Sequence, residues 1–128
     1  MNIPKDLLYS KSHEWVRFDG DIAYIGLTDY AQNALGDIVF VNLCEAGEQL
    51  ETETVIGDVE SIKAVSDISS PVDGIVDEVN GEILDNAGLI NSSPYDAWLV
   101  KVSGVSDKSK LLSAEEYEKL IEELEKDN

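Results

Sequence analysis

Apolar and polar residues alternate along most of this chain in short runs, which is the pattern of strands with one buried face. The first run contains Trp15, Val16 and Phe18, and Asp19-Gly20 after it is a strong signal for a hairpin turn. Further strands are predicted over residues 21–27, 37–43, 55–60, 75–79 and 98–102. The pattern therefore predicts a mainly β protein built from antiparallel strands.

Two segments have the spacing of helices instead. Thr28 is the expected N-cap of a short internal helix, Asp29 stands in its first turn, and Gly36 is the expected residue after its end. Further along, Ser113 and Glu116 form a capping box. The apolar residues that follow recur on one helix face: Tyr117, Leu120, Ile121 and Leu124. The opposite face is mainly acidic, which indicates a terminal helix packed on the domain with its charged side in solvent.

The middle of the chain contains an internal repeat. Residues 36–42 resemble residues 74–80, and each segment is followed by another β run, at residues 55–59 and 98–102. The second half has the longer connection, residues 80–97, which is rich in turn-forming residues and is predicted to be mostly loop. Two similar halves predict a pseudo-twofold pair of packed antiparallel sheets. The segment that joins the halves is then predicted to be a protruding, exposed turn.

The composition is that of one acidic globular domain. A length of 128 residues fits a single domain, residues 1–128, and the net charge is -18. This charge repels the phosphates of nucleic acid and anionic membrane surfaces, so neither is an expected partner. It favours a soluble monomer that meets basic patches on partner proteins.

The sequence also suits a reducing compartment. Cys44 is the single cysteine, so no internal disulfide can form. No apolar run is long enough to span a bilayer, and residues 1–6 lack the apolar segment of a signal peptide. We therefore expect a cytoplasmic protein that does not associate with membranes.

Lys63 stands apart from the other cations of the chain. It is the single Lys or Arg between Arg17 and Lys101, an interval that contains seventeen Asp and Glu. A lysine with a special role can form a Schiff base, bind an anion or be acylated. Acidic surroundings stabilise the charged amine and repel anions, which leaves acylation as the best special use. On spacing alone, an ordinary exposed lysine in a turn remains the favoured interpretation.

Few other residues suggest chemistry. His13 and Cys44 are each the single residue of their type, so the chain has no cluster with the spacing of zinc ligands. It also has no Gly-rich loop for phosphate. Lys63 is therefore the leading candidate for a functional residue.

Blocks over nearly the whole chain resemble the glycine cleavage H-protein family. The block Val59-Glu60-Ser61-Ile62-Lys63-Ala64-Val65-Ser66-Asp67 is similar to the family's lipoylation site. The other similar blocks are Ser12-His13-Glu14-Trp15-Val16 and residues 25–32, 35–41, 70–74 and 89–95. The resemblance implies a barrel-sandwich hybrid fold, as in lipoyl and biotinyl domains, with N- and C-terminal extensions. It also implies lipoate in amide linkage to Lys63, within an attachment motif formed by Glu60, Ser61, Ile62 and Ala64.

The resemblance implies a carrier protein that is not an enzyme by itself. Lipoate on Lys63 would accept the aminomethyl group left when the P protein, a pyridoxal-phosphate decarboxylase, acts on glycine. The T protein would pass the methylene to tetrahydrofolate and release ammonia. The L protein, a flavin dehydrogenase, would reoxidise the dithiol with NAD. A lipoyl- or octanoyl-transferase, or a lipoate ligase, would install the group.

The resemblance further implies a cleft that receives the loaded arm and protects it from water. The positions that match the family's arm contacts are Glu14 and Asp67, whose carboxylates would accept hydrogen bonds from the primary amine. In some members a histidine makes a third contact. Ala34 stands at that position, so the third contact is absent from this chain.

Other interpretations stay open beside this one. An H-like lipoyl protein would serve lipoate relay or another lipoate-dependent pathway, and an unmodified binding module would carry no group on Lys63. A biotinyl domain is disfavoured, because such domains usually flank the target lysine with methionines. Here the flanking residues are Ile62 and Ala64.

Overall fold

The computed structural model describes residues 1–126. The strands are β1 (Leu8–Tyr9), β2 (Glu14–Asp19), β3 (Ile22–Leu27), β4 (Ile38–Leu43), β5 (Gln49–Leu50), β6 (Val55–Ser61), β7 (Val65–Ser69), β8 (Gly74–Val79) and β9 (Val100–Ser103). The helices are α1 (Asp29–Leu35), α2 (Gly81–Asp85), α3 (Leu89–Ser92) and α4 (Ala114–Lys126). Positions 127 and 128 of the predicted domain lie outside the described residues.

The strands form two sheets in which every neighbouring pair is antiparallel. The larger sheet has the order β1-β2-β3-β9-β8-β5, and the smaller has the order β4-β6-β7. The larger sheet is extended by the β2–β3 hairpin, whose Ile25 lies opposite Val100 of β9. The predicted class, a mainly β fold of two antiparallel sheets with a short internal helix and a C-terminal helix, is confirmed.

The internal repeat corresponds to two equivalent strand pairs. In the first half β4 pairs with β6, and in the second half β8 pairs with β9. Each pairing contains a register shift early in its first strand, between Ile38 and Phe40 and between Val76 and Glu78. Such bulges bend a strand and increase its twist, so both halves curve in a similar way around the core.

The main core fills the space between the sheets with aliphatic side chains. Ile25, Val100 and Val102 come from the larger sheet, and Val59 and Ile68 come from the smaller one. Each is at least 99% buried, and removing such a side chain from water contributes about 1.5–3 kcal/mol. Because Val59 and Ile68 belong to β6 and β7, the hairpin that these strands form is anchored in the core.

A second, aromatic cluster attaches the C-terminal helix. The rings of Tyr9 and Tyr117 are stacked, with centroids 4.6 Å apart and planes 3° from parallel. Beside them the buried indole of Trp15 lies over Gly26, where a Cβ atom would overlap the ring. The indole N–H donates to the carbonyl of Pro94 at 3.0 Å. The predicted packing of this helix on the domain is therefore confirmed.

The helix termini agree with the sequence. Thr28 Oγ1 accepts a hydrogen bond from Ala31 N at 3.2 Å, and Gly36 closes α1 with φ 80°. The capping box of α4 is reciprocal, because Glu116 N donates to Ser113 Oγ at 3.2 Å and Ser113 N donates to Glu116 Oε1 at 3.0 Å. Among the described helices, none is long and apolar enough to cross a bilayer.

The prediction that residues 80–97 are mostly loop is wrong. The segment contains α2 and α3, whose Ile83 and Ile90 are buried in the main core. Asn80 caps α2 by accepting from Glu82 N at 3.1 Å. Both helices are about one turn long, too short for helical periodicity to show among the turn-forming residues. The strand predicted from residue 98 begins at Val100.

Candidate functional site

Lys63 stands at the exposed tip of the hairpin that joins the two halves of the repeat. The hairpin consists of β6 and β7, with Glu60 opposite Val65, and residues 62–64 form its tip. The side chain of Lys63 is exposed, and Lys63 forms no ion pair with any residue among 1–126. The prediction that this junction is a protruding turn is confirmed.

The Ser61 side chain fixes the backbone of this tip. Ser61 N donates to the carbonyl of Ala64 at 2.8 Å, which closes the turn. The Ser61 hydroxyl oxygen accepts from Lys63 N at 3.3 Å and from Ala64 N at 3.1 Å. On the opposite side, Ile62 N donates to the carbonyl of Asp37 at 3.1 Å. Lys63 is therefore presented from a turn that is bonded both internally and to the edge of β4.

The Lys63 side chain lies across Gly36, the residue that ends α1. A Cβ atom at Gly36 would be 3.3 Å from Lys63 Cε and 3.9 Å from Nζ. Gly36 has φ 80°, a conformation that side chains with a Cβ disfavour. Glycine therefore serves two purposes here, since it closes the helix and leaves room for the lysine.

A cleft of about 160 Å³ opens next to this point, beside α1. It is formed by the start of β2 and the residues before it, the end of β3, one side of α1, and the β6–β7 hairpin. Its lining is part polar and part apolar, and comprises Ser12, His13, Glu14, Leu27, Tyr30, Ala31, Ala34, Leu35, Val59, Ser66, Asp67 and Ile68. Because Leu35 of the lining directly precedes Gly36, the lysine side chain lies at the edge of the cleft.

Glu14 is the buried acid of the cleft. Its side chain is 1% exposed, and its Oε1 accepts hydrogen bonds from Ser10 Oγ at 2.7 Å and Ser12 Oγ at 2.6 Å. Burial raises the pKa of this carboxyl above its usual value, while the two hydroxyls and the backbone N–H of Ser69 oppose that rise. The cleft thus contains a carboxyl group with little access to water.

Asp67 and Ala34 lie on the rim of the same cleft. Both are exposed and line it, Asp67 from β7 and Ala34 from α1. The structure therefore brings Glu14 and Asp67 together in one cleft. At Ala34 only a methyl group lines the rim.

The sequence analysis missed the place of His13 in this site. The backbone of His13 is in the left-handed region, with φ 73°, and its ring packs against Tyr30 with centroids 4.6 Å apart. Its Nδ1 is 2.9 Å from the hydroxyl of Tyr117. Burial lowers the pKa of the imidazole, which favours a neutral ring in the wall of the cleft. No periodic signal in the sequence indicates this position.

An apolar surface surrounds the lysine and was also not predicted. Ile62 is 72% exposed and Val65 is 67% exposed, and across β6 the neighbouring strand presents Val39 and Phe40 to solvent. These four residues form the tip surface. Exposed apolar side chains gathered in one place mark contacts with other molecules more often than scattered ones do.

A larger cavity borders the cleft at Ser12. It measures about 750 Å³ and is lined by Lys11, Lys110 and several serines, but it shares only Ser12 with the cleft. No His, Cys, Asp or Glu cluster that could hold a metal ion occurs among residues 1–126. The cleft beside Lys63 is therefore the better candidate, because it combines an exposed amine at its edge with a buried carboxyl group.

Comparison with known proteins places the chain in a family. The profile of the family described as "Glycine cleavage H-protein" matches residues 7–124. A glycine cleavage system H protein of Thermoanaerobacter sp. (strain X514) is 50% identical over 125 residues, which cover 96% of this chain and 99% of that protein. The protein of the same name from Lachnoclostridium phytofermentans is 48% identical over 122 residues, which cover 94% of this chain and 96% of that protein.

A solved structure is similar over the same length. The crystal structure of a glycine cleavage system H protein from Mycobacterium marinum matches with a TM-score of 0.86 and 38% sequence identity. The match covers 94% of this chain and 99% of that chain. The two proteins therefore share their fold over nearly the full length of both chains.

Proposed function

The chain belongs to the glycine cleavage H-protein family, and on that basis we propose that it carries lipoate on Lys63 and shuttles the aminomethyl group of glycine. The observation that carries this proposal is the placement of Lys63. Its side chain is exposed at a fixed hairpin tip and lies at the edge of a cleft with a buried carboxyl group.

The residues of the tip fit a covalently attached lipoyl group. An exposed amine with no ion pair among the described residues is accessible to an attaching enzyme. Ser61 holds the turn, and Glu60, Ile62 and Ala64 complete the motif that such an enzyme would meet. When bound, lipoate supplies a disulfide that is reduced on taking up the aminomethyl group and is reoxidised after the methylene and ammonia have left. Acylation also removes the charge of Lys63.

The cleft suits the end of such an arm. Leu27, Leu35 and Ile68 provide apolar walls that exclude water, which protects a group prone to hydrolysis. Glu14 and Asp67 provide carboxylates that accept hydrogen bonds from a primary amine. With Ala34 in place of a larger side chain, we infer that these two acids make the polar contacts with the amine.

The partners follow from the carrier role. We infer that the tip meets a pyridoxal-phosphate glycine decarboxylase (P protein), a tetrahydrofolate-dependent aminomethyltransferase (T protein) and a dihydrolipoyl dehydrogenase (L protein). An enzyme that attaches lipoate is the fourth partner. The tip surface of Val39, Phe40, Ile62 and Val65 gives these proteins an apolar contact beside the lysine. The net charge of -18 favours basic rims on them.

The remaining expectations accompany this role. We propose that the chain acts as a carrier and performs no reaction by itself. A single domain, a monomeric state and a cytoplasmic location stay predictions, as does the absence of nucleic acid among the partners.

The test is intact-mass measurement after treatment with a lipoate ligase, lipoate and ATP. We expect one lipoyl adduct on the wild-type chain and none on Lys63→Arg, with peptide mapping to locate it. Lys110→Arg is the matched control, since Lys110 is also exposed, and it should accept the adduct. An unmodified wild-type chain, under conditions that modify a known acceptor, would contradict the proposal.

A second measurement separates glycine cleavage from other lipoate-dependent roles. The lipoylated chain should support the exchange of bicarbonate with the carboxyl group of glycine when a P protein is added. Lipoylated chain that fails with several P proteins would contradict the glycine cleavage role and leave lipoate carriage intact.

A further inference from the structure

The buried carboxyl of Glu14 is held mainly by residues close to it in the chain. Ser10 Oγ and Ser12 Oγ both donate to Oε1, at 2.7 and 2.6 Å, and Ser69 contributes a backbone N–H from β7. Neither ion pair found among residues 1–126 involves Glu14. Burying a charged carboxylate costs free energy, and at Glu14 this cost is offset by hydrogen bonds and not by an ion pair with a cation.

Ser10 differs from Ser12 in its surroundings. Ser12 is exposed and lines both the cleft and the larger cavity, whereas Ser10 is 8% exposed and borders the larger cavity alone. Water can replace the Ser12 hydroxyl more readily than the Ser10 hydroxyl, because much less of the surface of Ser10 is exposed. Loss of the Ser10 hydroxyl would thus leave one carboxylate lone pair without a donor.

Ser10 and Glu14 are also joined through the backbone. Ser10 N donates to the carbonyl of Glu14 at 2.9 Å, and Glu14 N donates to Ser10 Oγ at 3.0 Å. The single hydroxyl proton of Ser10 then points to Oε1, the nearest acceptor. A hydroxyl that accepts one hydrogen bond donates a stronger one, so this arrangement favours an ionised carboxyl.

The other titratable groups around Glu14 do not supply a positive charge. His13 stands next to it, Tyr30 of α1 and Asp67 of β7 line the same cleft, and Tyr117 of α4 is near enough for Glu14 to raise its pKa. Burial lowers the pKa of His13, so that ring is neutral near pH 7. An incoming amine is therefore the natural cation for this carboxylate.

We propose that Ser10 is a positioning residue, which orients Glu14 and keeps its carboxyl ionised for the amine of the loaded Lys63 arm. This inference rests on the proposed function and adds a residue that does not itself touch the arm. An ionised Glu14 forms an ion pair with an ammonium group, whereas a protonated Glu14 has no negative charge to pair with it and makes a weaker hydrogen bond.

The first test uses the unlipoylated chain and needs no activity. Side-chain carboxyl carbons are labelled with ¹³C on glutamate and titrated by NMR, and the Glu14 signal is identified by its absence in Glu14→Gln. In Ser10→Ala we expect the pKa of Glu14 to be higher than in wild type by about one pH unit, as loss of one hydrogen bond to a charge implies. Ser10→Thr, which keeps the hydroxyl, should restore the wild-type value.

A control variant separates this effect from general loosening of the cleft. Ser66 also lines the cleft, but its hydroxyl bonds to the carbonyl of Asp67 and not to Glu14. Ser66→Ala should leave the pKa of Glu14 unchanged. If Ser10→Ala does not fold, Ser10→Cys, with a weaker donor of similar shape, should raise the pKa by a smaller amount.

The second test uses the lipoylated, reduced chain loaded with formaldehyde and ammonia. A sulfur–carbon bond and a carbon–nitrogen bond form and one water leaves, and intact mass follows the later loss of the group. Ser10→Ala should shorten the half-life of the loaded form several-fold at pH values below the Glu14 pKa that the first test finds for this variant, with recovery above it. An unchanged pKa in the first test would overturn the role of Ser10. A raised pKa with an unchanged half-life would instead overturn the contact between Glu14 and the arm.

Discussion

The hydroxyl of Tyr117 lies 2.7 Å from Thr28 Oγ1, which joins the C-terminal helix to the first turn of α1. The same hydroxyl is 2.9 Å from Nδ1 of His13. Thr28 caps α1, and both His13 and α1 form walls of the cleft. The C-terminal helix therefore braces the cleft from behind through one phenolic oxygen.

Tyr117→Phe should destabilise the chain because it removes this oxygen from a buried position. We expect a loss of about 1–3 kcal/mol in the free energy of unfolding, measured with urea, since Thr28 and His13 each lose a partner. Tyr30→Phe is the matched control, because the Tyr30 hydroxyl makes no hydrogen bond with any described residue. Equal losses in the two variants would contradict the bracing role of Tyr117.

Ser61→Ala should slow lipoate attachment without unfolding the chain. The hydroxyl organises the tip by bonding the backbone of Lys63 and Ala64, but it lies in an exposed turn that contributes little to the core. We expect a several-fold lower rate of modification by a lipoate ligase, followed by intact mass, with an unfolding midpoint close to wild type. Ser66→Ala, with one long hydrogen bond of 3.5 Å, should be modified at the wild-type rate.

Gly36→Ala should both strain the chain and displace the lysine. A Cβ atom would occupy a backbone with φ 80° and stand 3.3 Å from Lys63 Cε. Strain of this kind costs about 1–3 kcal/mol, which urea unfolding would detect. Gly47→Ala separates the two effects, since Gly47 has φ 94° and open space around it. A chemical shift change at Lys63 Cε is expected in the Gly36 variant and not in the Gly47 variant.

The pH dependence of stability should show the burial of Glu14. The pKa of Glu14 is raised in the folded chain. At pH values between the unfolded and the folded pKa, the folded state therefore holds a proton that the unfolded state has already lost. This contribution is complete below the unfolded pKa of about 4.3 and disappears as the pH rises through the folded value. The unfolding free energy of wild type minus that of Glu14→Gln should therefore be constant at low pH and decrease above about pH 4.

His13 makes the unfolding free energy change with pH in the opposite direction, and it does so in both wild type and Glu14→Gln. Burial lowers the pKa of His13, so its contribution to stability is complete above the unfolded pKa of about 6.5 and is lost as the pH falls through the lower folded pKa. Subtracting the unfolding free energy of Glu14→Gln from that of wild type cancels the His13 contribution and leaves the contribution of the Glu14 carboxyl. A difference that increases with pH would contradict the raised pKa of Glu14.

Local signals explain why much of the fold could be predicted. Thr28, Gly36 and the Ser113–Glu116 box act through backbone groups within a few residues, and the structure contains each of them as predicted. The exposed tip at Lys63 followed from the repeat, because a junction between two packed halves has nothing to cover it. Such features depend on contacts between residues close in the chain and on the alternation of apolar and polar residues, both of which can be read directly from the sequence.

The unpredicted features depend on long-range contacts. The neighbours of His13 come from α1 and α4, and its partner Tyr117 is 104 residues away in the chain. The tip surface unites Phe40 with Val65 across β6, which needs the register of three strands. The resemblance to a family supplied the pairing of Glu14 and Asp67, which periodicity and composition do not contain.

The hairpin tip also affects how often the end of the lipoyl-lysine arm on Lys63 returns to the cleft. A tether that begins at one immobile point confines its end to a small volume, so the end meets its own cleft at an effective concentration on the order of millimolar. A docked enzyme must therefore compete with an intramolecular partner that is always present. The hydrogen bonds of Ser61 and Ile62 hold the backbone of the tip, and with it the attachment point of the arm, in place. The dwell time of the cargo between enzymes thus depends on the stiffness of one turn as much as on the affinity of the cleft.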